Sequence, residues 1–175
     1  KSFNGEWFTD NQTGATSELC QYAAFMSRAA TPQRDPVLWS RVVNDLGPQR
    51  KPGAWPKVLP SNMLFGYSIR MVLLSEHGCS AKVLSDVKDC LLGMAEDTGT
   101  LWEGMDAEQD DGYSCCHGFP SMAAWLLARD ALGLRRIDRA AKQVVPNLET
   151  RSATFAEGVA NFLRTMGEGF LLFLR

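Results

Sequence analysis

The stretch Ser61-Asn62-Met63-Leu64-Phe65-Gly66-Tyr67-Ser68-Ile69-Arg70-Met71-Val72-Leu73-Leu74-Ser75-Glu76-His77-Gly78-Cys79-Ser80-Ala81-Lys82-Val83-Leu84-Ser85-Asp86-Val87 decides the fold class. Apolar residues at 63, 64, 67, 69, 71, 72 and 73 predict a helix capped by Ser61 and running to Glu76, with Gly78 where a left-handed terminus belongs. Ser80 opens another helix at once, and its stripe Val83, Leu84, Val87, Leu91, Leu92 and Met94 ends before Gly99. Helices joined by so few residues pack antiparallel. A helical hairpin is therefore the unit from which the rest of the chain is read.

Upstream, residues 16–30 carry Leu19, Tyr22, Ala23, Phe25 and Met26 at helical spacing, with Thr16 or Ser17 placed to cap the first N–H groups. Asp35-Pro36 gives an N-cap followed by proline at the first helical position, and the stripe Val37, Leu38, Trp39, Val42, Val43 and Leu46 ends at Gly47. Prolines at 48, 52, 56 and 60 each remove a donor and push the preceding residue out of the α region, so residues 47–60 are expected as a long extended loop.

Downstream, after an irregular acidic segment, residues 121–132 predict a further helix through Ala123, Ala124, Leu126, Leu127 and Ala131, ended by Gly133. The pattern then changes to a strand at 134–137, a turn at 138–141 and a return strand at 143–145. A second strand pair is expected at 153–159 and 169–174, although the run Phe170 to Leu174 reads equally as the end of a helix. The expected architecture is mainly α, built of antiparallel helix pairs, with residues 1–133 a helical unit and 134–175 a short β tail. On periodicity alone a short helical repeat array fits as well.

Charge excludes some partners. The 18 Lys+Arg against 20 Asp+Glu in 175 residues leave a net −2 and no broad basic face for phosphates, so nucleic acid is not expected. No apolar run approaches the ~18 residues that span a bilayer, so no membrane partner is expected either. The chain opens on Lys1 with neither a basic nor an apolar leader, which predicts no signal peptide within it and leaves localisation open. Cys20, Cys79, Cys90, Cys115 and Cys116 are odd in number and lack a CxxC spacing, which points to reduced thiols and to neither a disulfide framework nor a zinc site. No cofactor is expected.

Chemistry concentrates in two segments. Thr98-Gly99-Thr100-Leu101-Trp102-Glu103-Gly104 sets a carboxylate beside an indole between two predicted helices, where glycines let the backbone approach closely. Glu103 there is either a base that activates water or a solvated loop residue, and Trp102 either stacks on a sugar face or plugs the core. Ser114-Cys115-Cys116-His117-Gly118-Phe119 brings a hydroxyl, two thiols and an imidazole to a helix start. Adjacent Cys and His rarely share the geometry a nucleophile pair needs, which leaves His117 as a structural residue or a donor to a substrate hydroxyl.

Asp106, Glu108, Asp110, Asp111 and Gly112 suggest a calcium loop, but the glycine falls one position late and His117 stands where the bidentate Glu belongs. A solvated acidic insertion is the expectation. Near the start, Glu6, Trp7, Asp10, Glu18 and Gln21 mix carboxylates, an amide and an indole as sugar sites do, although acids at a helix start also suit its dipole without any ligand.

Taken together, Phe3-Asn4-Gly5-Glu6-Trp7-Phe8-Thr9-Asp10, Ser17-Glu18-Leu19-Cys20-Gln21-Tyr22, Pro56-Lys57-Val58-Leu59-Pro60-Ser61-Asn62, Thr98-Gly99-Thr100-Leu101-Trp102-Glu103 and Ser114-Cys115-Cys116-His117-Gly118-Phe119 resemble bacterial α-L-rhamnosidases, in that family's order and approximate spacing. The resemblance implies the back half of an (α/α) six-hairpin toroid followed by the start of a β domain. It implies inverting hydrolysis of terminal α-L-rhamnosides, with Glu103 as general base, His117 in the sugar site and Trp102 walling the pocket, joined by Glu18 and Trp7. The general acid of such enzymes has no counterpart in these residues, so the chain is expected to be a fragment of a hydrolase. The alternative is a non-catalytic carbohydrate-binding or scaffold module. Half a toroid would also leave apolar faces such as Val83, Leu84 and Val87 open to self-association.

Overall fold

The computed structural model describes residues 2–105, 112–131, 134–138 and 143–146, and for Met63, Leu64 and the last two stretches it describes the backbone alone. The chain is mainly helical. It begins with a small antiparallel ribbon, β1 (Ser2–Phe3) against β2 (Phe8–Thr9), closed by the Asn4 side chain accepting from the N–H groups of Glu6 and Trp7. Helix α1 (Glu18–Met26) starts at Ser17, whose hydroxyl accepts from Cys20 N–H at 3.2 Å. Helix α2 (Pro36–Asn44) has proline at its start as expected. Asp35, however, does not cap it: its carboxylate accepts from Thr31 N–H and Arg34 Nε and closes the preceding turn instead.

Residues 47–60 form no helix or strand, as their prolines require, but they are not extended. N–H bonds from Arg50 to Gly47 O, Ala54 to Lys51 O and Val58 to Trp55 O fold them into three successive turns. Arg50 organises that loop, because its guanidinium donates to the carbonyls of Ala54, Trp55 and Val58 and to Glu18. The next helix opens with a π turn, Met63–Tyr67, and continues as α3 (Ser68–Glu76). Ser61 is not its cap, since the hydroxyl is buried with no hydrogen-bond partner among the described residues. Gly78, at φ +75°, makes the expected left-handed exit. After His77, Gly78 and Cys79 the chain re-enters a helix over residues 80–98, formed by α4 (Ser80–Val87), a π segment (Lys88–Leu92) and α5 (Gly93–Thr98), and Gly99 ends it at φ +72°. Helices α3 and α4 pack on each other.

The last helical stretch is a 3-10 turn (Phe119–Ser121), α6 (Met122–Leu126) and a π segment (Leu127–Ala131). Beyond it, β3 (Leu134–Asp138) pairs antiparallel with β4 (Gln143–Pro146), which matches the expected strand and return strand, and residues 139–142 of the expected turn lie outside the described residues. The second expected strand pair, at 153–159 and 169–174, lies outside the described residues.

Two apolar clusters make the core. One gathers Trp7, Phe8, Tyr22, Phe25, Leu38, Val42 and Leu46 around α1 and α2. The other gathers Met71, Leu74, Val83, Leu91, Met94, Trp102 and Leu126 around α3 to α6. Trp39 packs against both. The face expected to stand open is covered: Val83 is fully buried, and Leu84 and Val87 are half-buried. Self-association through that stripe therefore loses its basis.

Polar groups bolt the clusters together. Arg70, fully buried on α3, donates Nε to Asp86 at 2.6 Å and its other nitrogens to the carbonyls of Val42 and Val43 at the end of α2. The ends of α2, α3 and α4 thus meet on one guanidinium, whose fork matches several acceptors at once. Burial raises the Asp86 carboxyl above its usual range against the pull of Arg70. Asp130, also fully buried, accepts from the hydroxyls of Ser75 and Ser80 and so ties the last helical stretch to the α3–α4 turn.

Candidate functional site

Gly99 is the pivot. Its left-handed backbone turns the chain out of α5, and residues 100–103 then run beside residues 114–117. His117 N–H donates to Leu101 O at 2.8 Å, and Glu103 N–H donates to Ser114 O at 2.8 Å. The Thr100 hydroxyl donates to Cys115 O, and Ser114 N–H donates back to Glu103 Oε2 at 3.1 Å. The two segments singled out by chemistry, separated in sequence by the acidic stretch, are thereby clasped into one unit.

Along this clasp side chains alternate. Trp102 points into the core, 5% exposed, with its indole N–H on Thr98 Oγ1 at 2.8 Å and its backbone N–H on Met94 sulfur at 3.4 Å. That burial leaves no indole face for a sugar, so of the two readings of Trp102 the core plug is the one its position fits. Glu103, next along, is half-buried. One carboxylate oxygen holds Ser114 N–H, and the other has no partner among the described residues. The His117 ring accepts from Phe119 N–H through Nδ1 at 3.2 Å, which leaves Nε2 as its second polar atom. Ser114 Oγ is taken up locally, donating to Cys116 O and accepting from Cys116 N–H.

The N-terminal candidates go elsewhere. Glu18 is fully buried and accepts from Tyr22 hydroxyl at 2.8 Å, Arg50 at 3.0 Å and the N–H groups of Gly47 and Ser61. It staples α1 to the 47–60 loop and has no surface for a ligand. Trp7 is likewise buried; it meets Trp55 edge to face, and the Arg41 guanidinium lies 4.7 Å from the Trp7 ring centroid and 4.6 Å from that of Trp55. Gln21 acts as a false strand, its amide pairing with both the N–H and the carbonyl of Phe8. Glu18 and Trp7 are thus structural, which corrects the expectation that they line a sugar pocket.

Among the described residues, two cavities open away from the clasp. One of about 230 Å³ lies among Phe3, Glu6, Arg34, Pro36 and Arg41, and one of about 480 Å³ among Met26, Arg28, Gln33, Glu76 and His77. Among the described residues no group of three or more His, Cys, Asp or Glu is placed to hold a metal ion, and no helix is long and apolar enough to cross a membrane. Sequence reasoning missed Arg70, Asp86 and Asp130, because a charge inside an apolar stripe gives no hint of the partner that receives it. No family model, curated protein or solved structure matches the chain.

Proposed function

We propose that the chain carries the base side of an α-L-rhamnosidase-like inverting glycoside hydrolase site within a partial (α/α) toroid, with Glu103 as general base and His117 as the residue that contacts the sugar. The observation that carries this reading is the clasp: the backbone bonds Glu103–Ser114 and Leu101–His117 bring together two of the five segments that carry the resemblance. Each residue then has a distinct task. Ser114 N–H holds one Glu103 oxygen, which fixes the carboxylate plane while the other oxygen takes a proton from water. Phe119 N–H fixes the His117 ring through Nδ1, so that Nε2 meets a sugar hydroxyl. Trp102 anchors the loop from beneath.

Inversion requires a second carboxyl roughly 6.5–9.5 Å from the base, which protonates the departing oxygen. These residues hold no counterpart of it, and a segment outside them would supply it. An aryl α-L-rhamnoside with a good leaving group needs little of that help. Its hydrolysis should therefore survive in this chain and fall about 10²–10⁴-fold in Glu103→Gln, the usual weight of a general base. Equal rates in the two proteins would remove Glu103 from the mechanism.

The second reading is a non-catalytic module. Its scaffold form draws on the burial of Glu18, Trp7 and Trp102, which withdraws three of the five expected sugar contacts, and predicts neither sugar binding nor turnover. Sugar binding that persists in Glu103→Gln, with no turnover by either protein, would select its carbohydrate-binding form.

A further inference from the structure

Just past the end of α1, Arg28 stands at φ +60°. That left-handed position after a helix normally falls to glycine, because a Cβ there crowds the neighbouring backbone. The side chain gives the fold nothing in return: among the described residues its guanidinium makes no hydrogen bond or ion pair. The last carbonyls of α1 are taken by other groups, Ala23 O by Ser27 N–H, Ala24 O by Ala30 N–H and Phe25 O by Arg28 N–H. Strain held without a structural return points to a use for the side chain.

Arg28 lines the cavity of about 480 Å³, a volume usual for small-molecule sites. Phe25, Ala30 and Leu73 give that cavity a buried apolar floor. Arg28, Gln33, Glu76 and His77 stand exposed around it, and none of their side chains makes a hydrogen bond or ion pair among the described residues. The walls are braced without any ligand. Thr31 N–H donates to Asp35 Oδ2 at 3.0 Å, Asp35 N–H donates to Thr31 O at 2.8 Å, and Arg34 donates to Ala29 O, which is the work Asp35 does in place of capping α2. On the other side the His77 ring meets Trp39 edge to face at 4.8 Å, and Trp39 lies 5.0 Å from Phe25.

The cavity carries both signs of charge. Arg28 supplies the cation. Glu76 supplies a carboxylate, and the C-terminal turns of α1 and α3, which both line the cavity and contain no basic residue, add the negative ends of two helix dipoles. We propose that this cavity binds a small zwitterion, an α-amino acid with an apolar side chain. Its carboxylate meets Arg28, its ammonium meets Glu76 and the helix ends, and its side chain rests on Phe25 and Leu73. An acid without the ammonium leaves Glu76 unmatched, an amine without the carboxylate leaves Arg28 unmatched, and a neutral sugar leaves both. No lining residue belongs to the clasp, so the proposal is independent of the reading of Glu103.

The test is calorimetric titration of the whole chain with L-leucine, with L-leucinamide, which lacks the carboxylate, and with 4-methylpentanoate, which lacks the ammonium, beside thermal melts without ligand. The wild type should bind leucine at least about tenfold tighter than either analogue, the weight of one charge-assisted hydrogen bond. Glu76→Gln should lose the margin over 4-methylpentanoate. Arg28→Gly should bind leucine about tenfold more weakly and yet melt about 2–4 °C higher, because its strain is gone, so the loss is not a failure to fold. No binding of leucine by the wild type, equal affinity for the three compounds, or full affinity in Arg28→Gly overturns the site. An Arg28→Gly protein that melts no higher than the wild type overturns it as well, since the strain from which the argument starts would then be absent.

Discussion

At the scale of single residues, two glycines separate conformational need from free space. Gly47 sits at φ +94°, and a Cβ there would collide with Arg70 Nε, inside the buried junction of α2, α3 and α4. Gly47→Ala should therefore destabilise the protein by about 2–4 kcal/mol, from strain and from displacement of a buried ion pair. Gly118→Ala, at φ −71° and with open space around it, should stay within about 0.5 kcal/mol of the wild type. Chemical denaturation of the two variants checks both. Neither outcome is legible in the sequence, where each glycine simply ends a stripe or begins one.

Cys90 gives a pH dependence of known sign. Burial first, and then the nearby Asp86 and Asp89, push its thiol from 9.0 up to about 12. A folded value above the unfolded one means a contribution fully present below pH 9 and lost as pH climbs toward 12, because the unfolded thiol ionises first. Stability should fall by up to about 1.4 kcal/mol per pH unit above pH 9 from this group, and Cys90→Ala should flatten the decline between pH 9 and 10 in thermal melts. An unchanged slope would mean that the thiol ionises equally well in both states.

At the scale of elements, the helices follow from what the sequence displays and their junctions from what it hides. Periodicity located α1 to α4, the helix ends at Gly78 and Gly99, and the two strands β3 and β4, because stripes and glycines state their own conformation. It did not show that residues 80–98 pass through a π segment at Lys88–Leu92, nor that Ser61 and Asp35 decline to cap. Asp35 turns back to its neighbours Thr31 and Arg34, whereas the junctions between helices depend on side chains far along the chain. Asp130 is the clearest such junction, since it receives two serine hydroxyls from the α3–α4 turn. Asp130→Ala leaves both donors buried and unmatched and should cost about 3 kcal/mol, whereas Asp130→Asn, which still accepts, should cost less. Urea unfolding of the pair decides it.

At the scale of the whole molecule, a helical framework sets out one clasped loop pair, and the function proposed for the chain depends on that pair. Of the five residues that the sequence nominates for sugar chemistry, Trp7, Glu18 and Trp102 are drawn into the interior, while Glu103 and His117 stay at the clasp. The sequence offers carboxylates and indoles alike as candidates, and only packing tells a structural carboxylate, like Glu18 on Arg50, from one with an oxygen to spare. The most direct measurement is proton NMR of an aryl α-L-rhamnoside undergoing hydrolysis by the wild-type chain and by Glu103→Gln, read at the anomeric proton of the first sugar released. The account predicts the inverted β anomer from the wild type and about 10²–10⁴-fold slower release from the variant. Release of the α anomer first, or the same rate from both proteins, would contradict it.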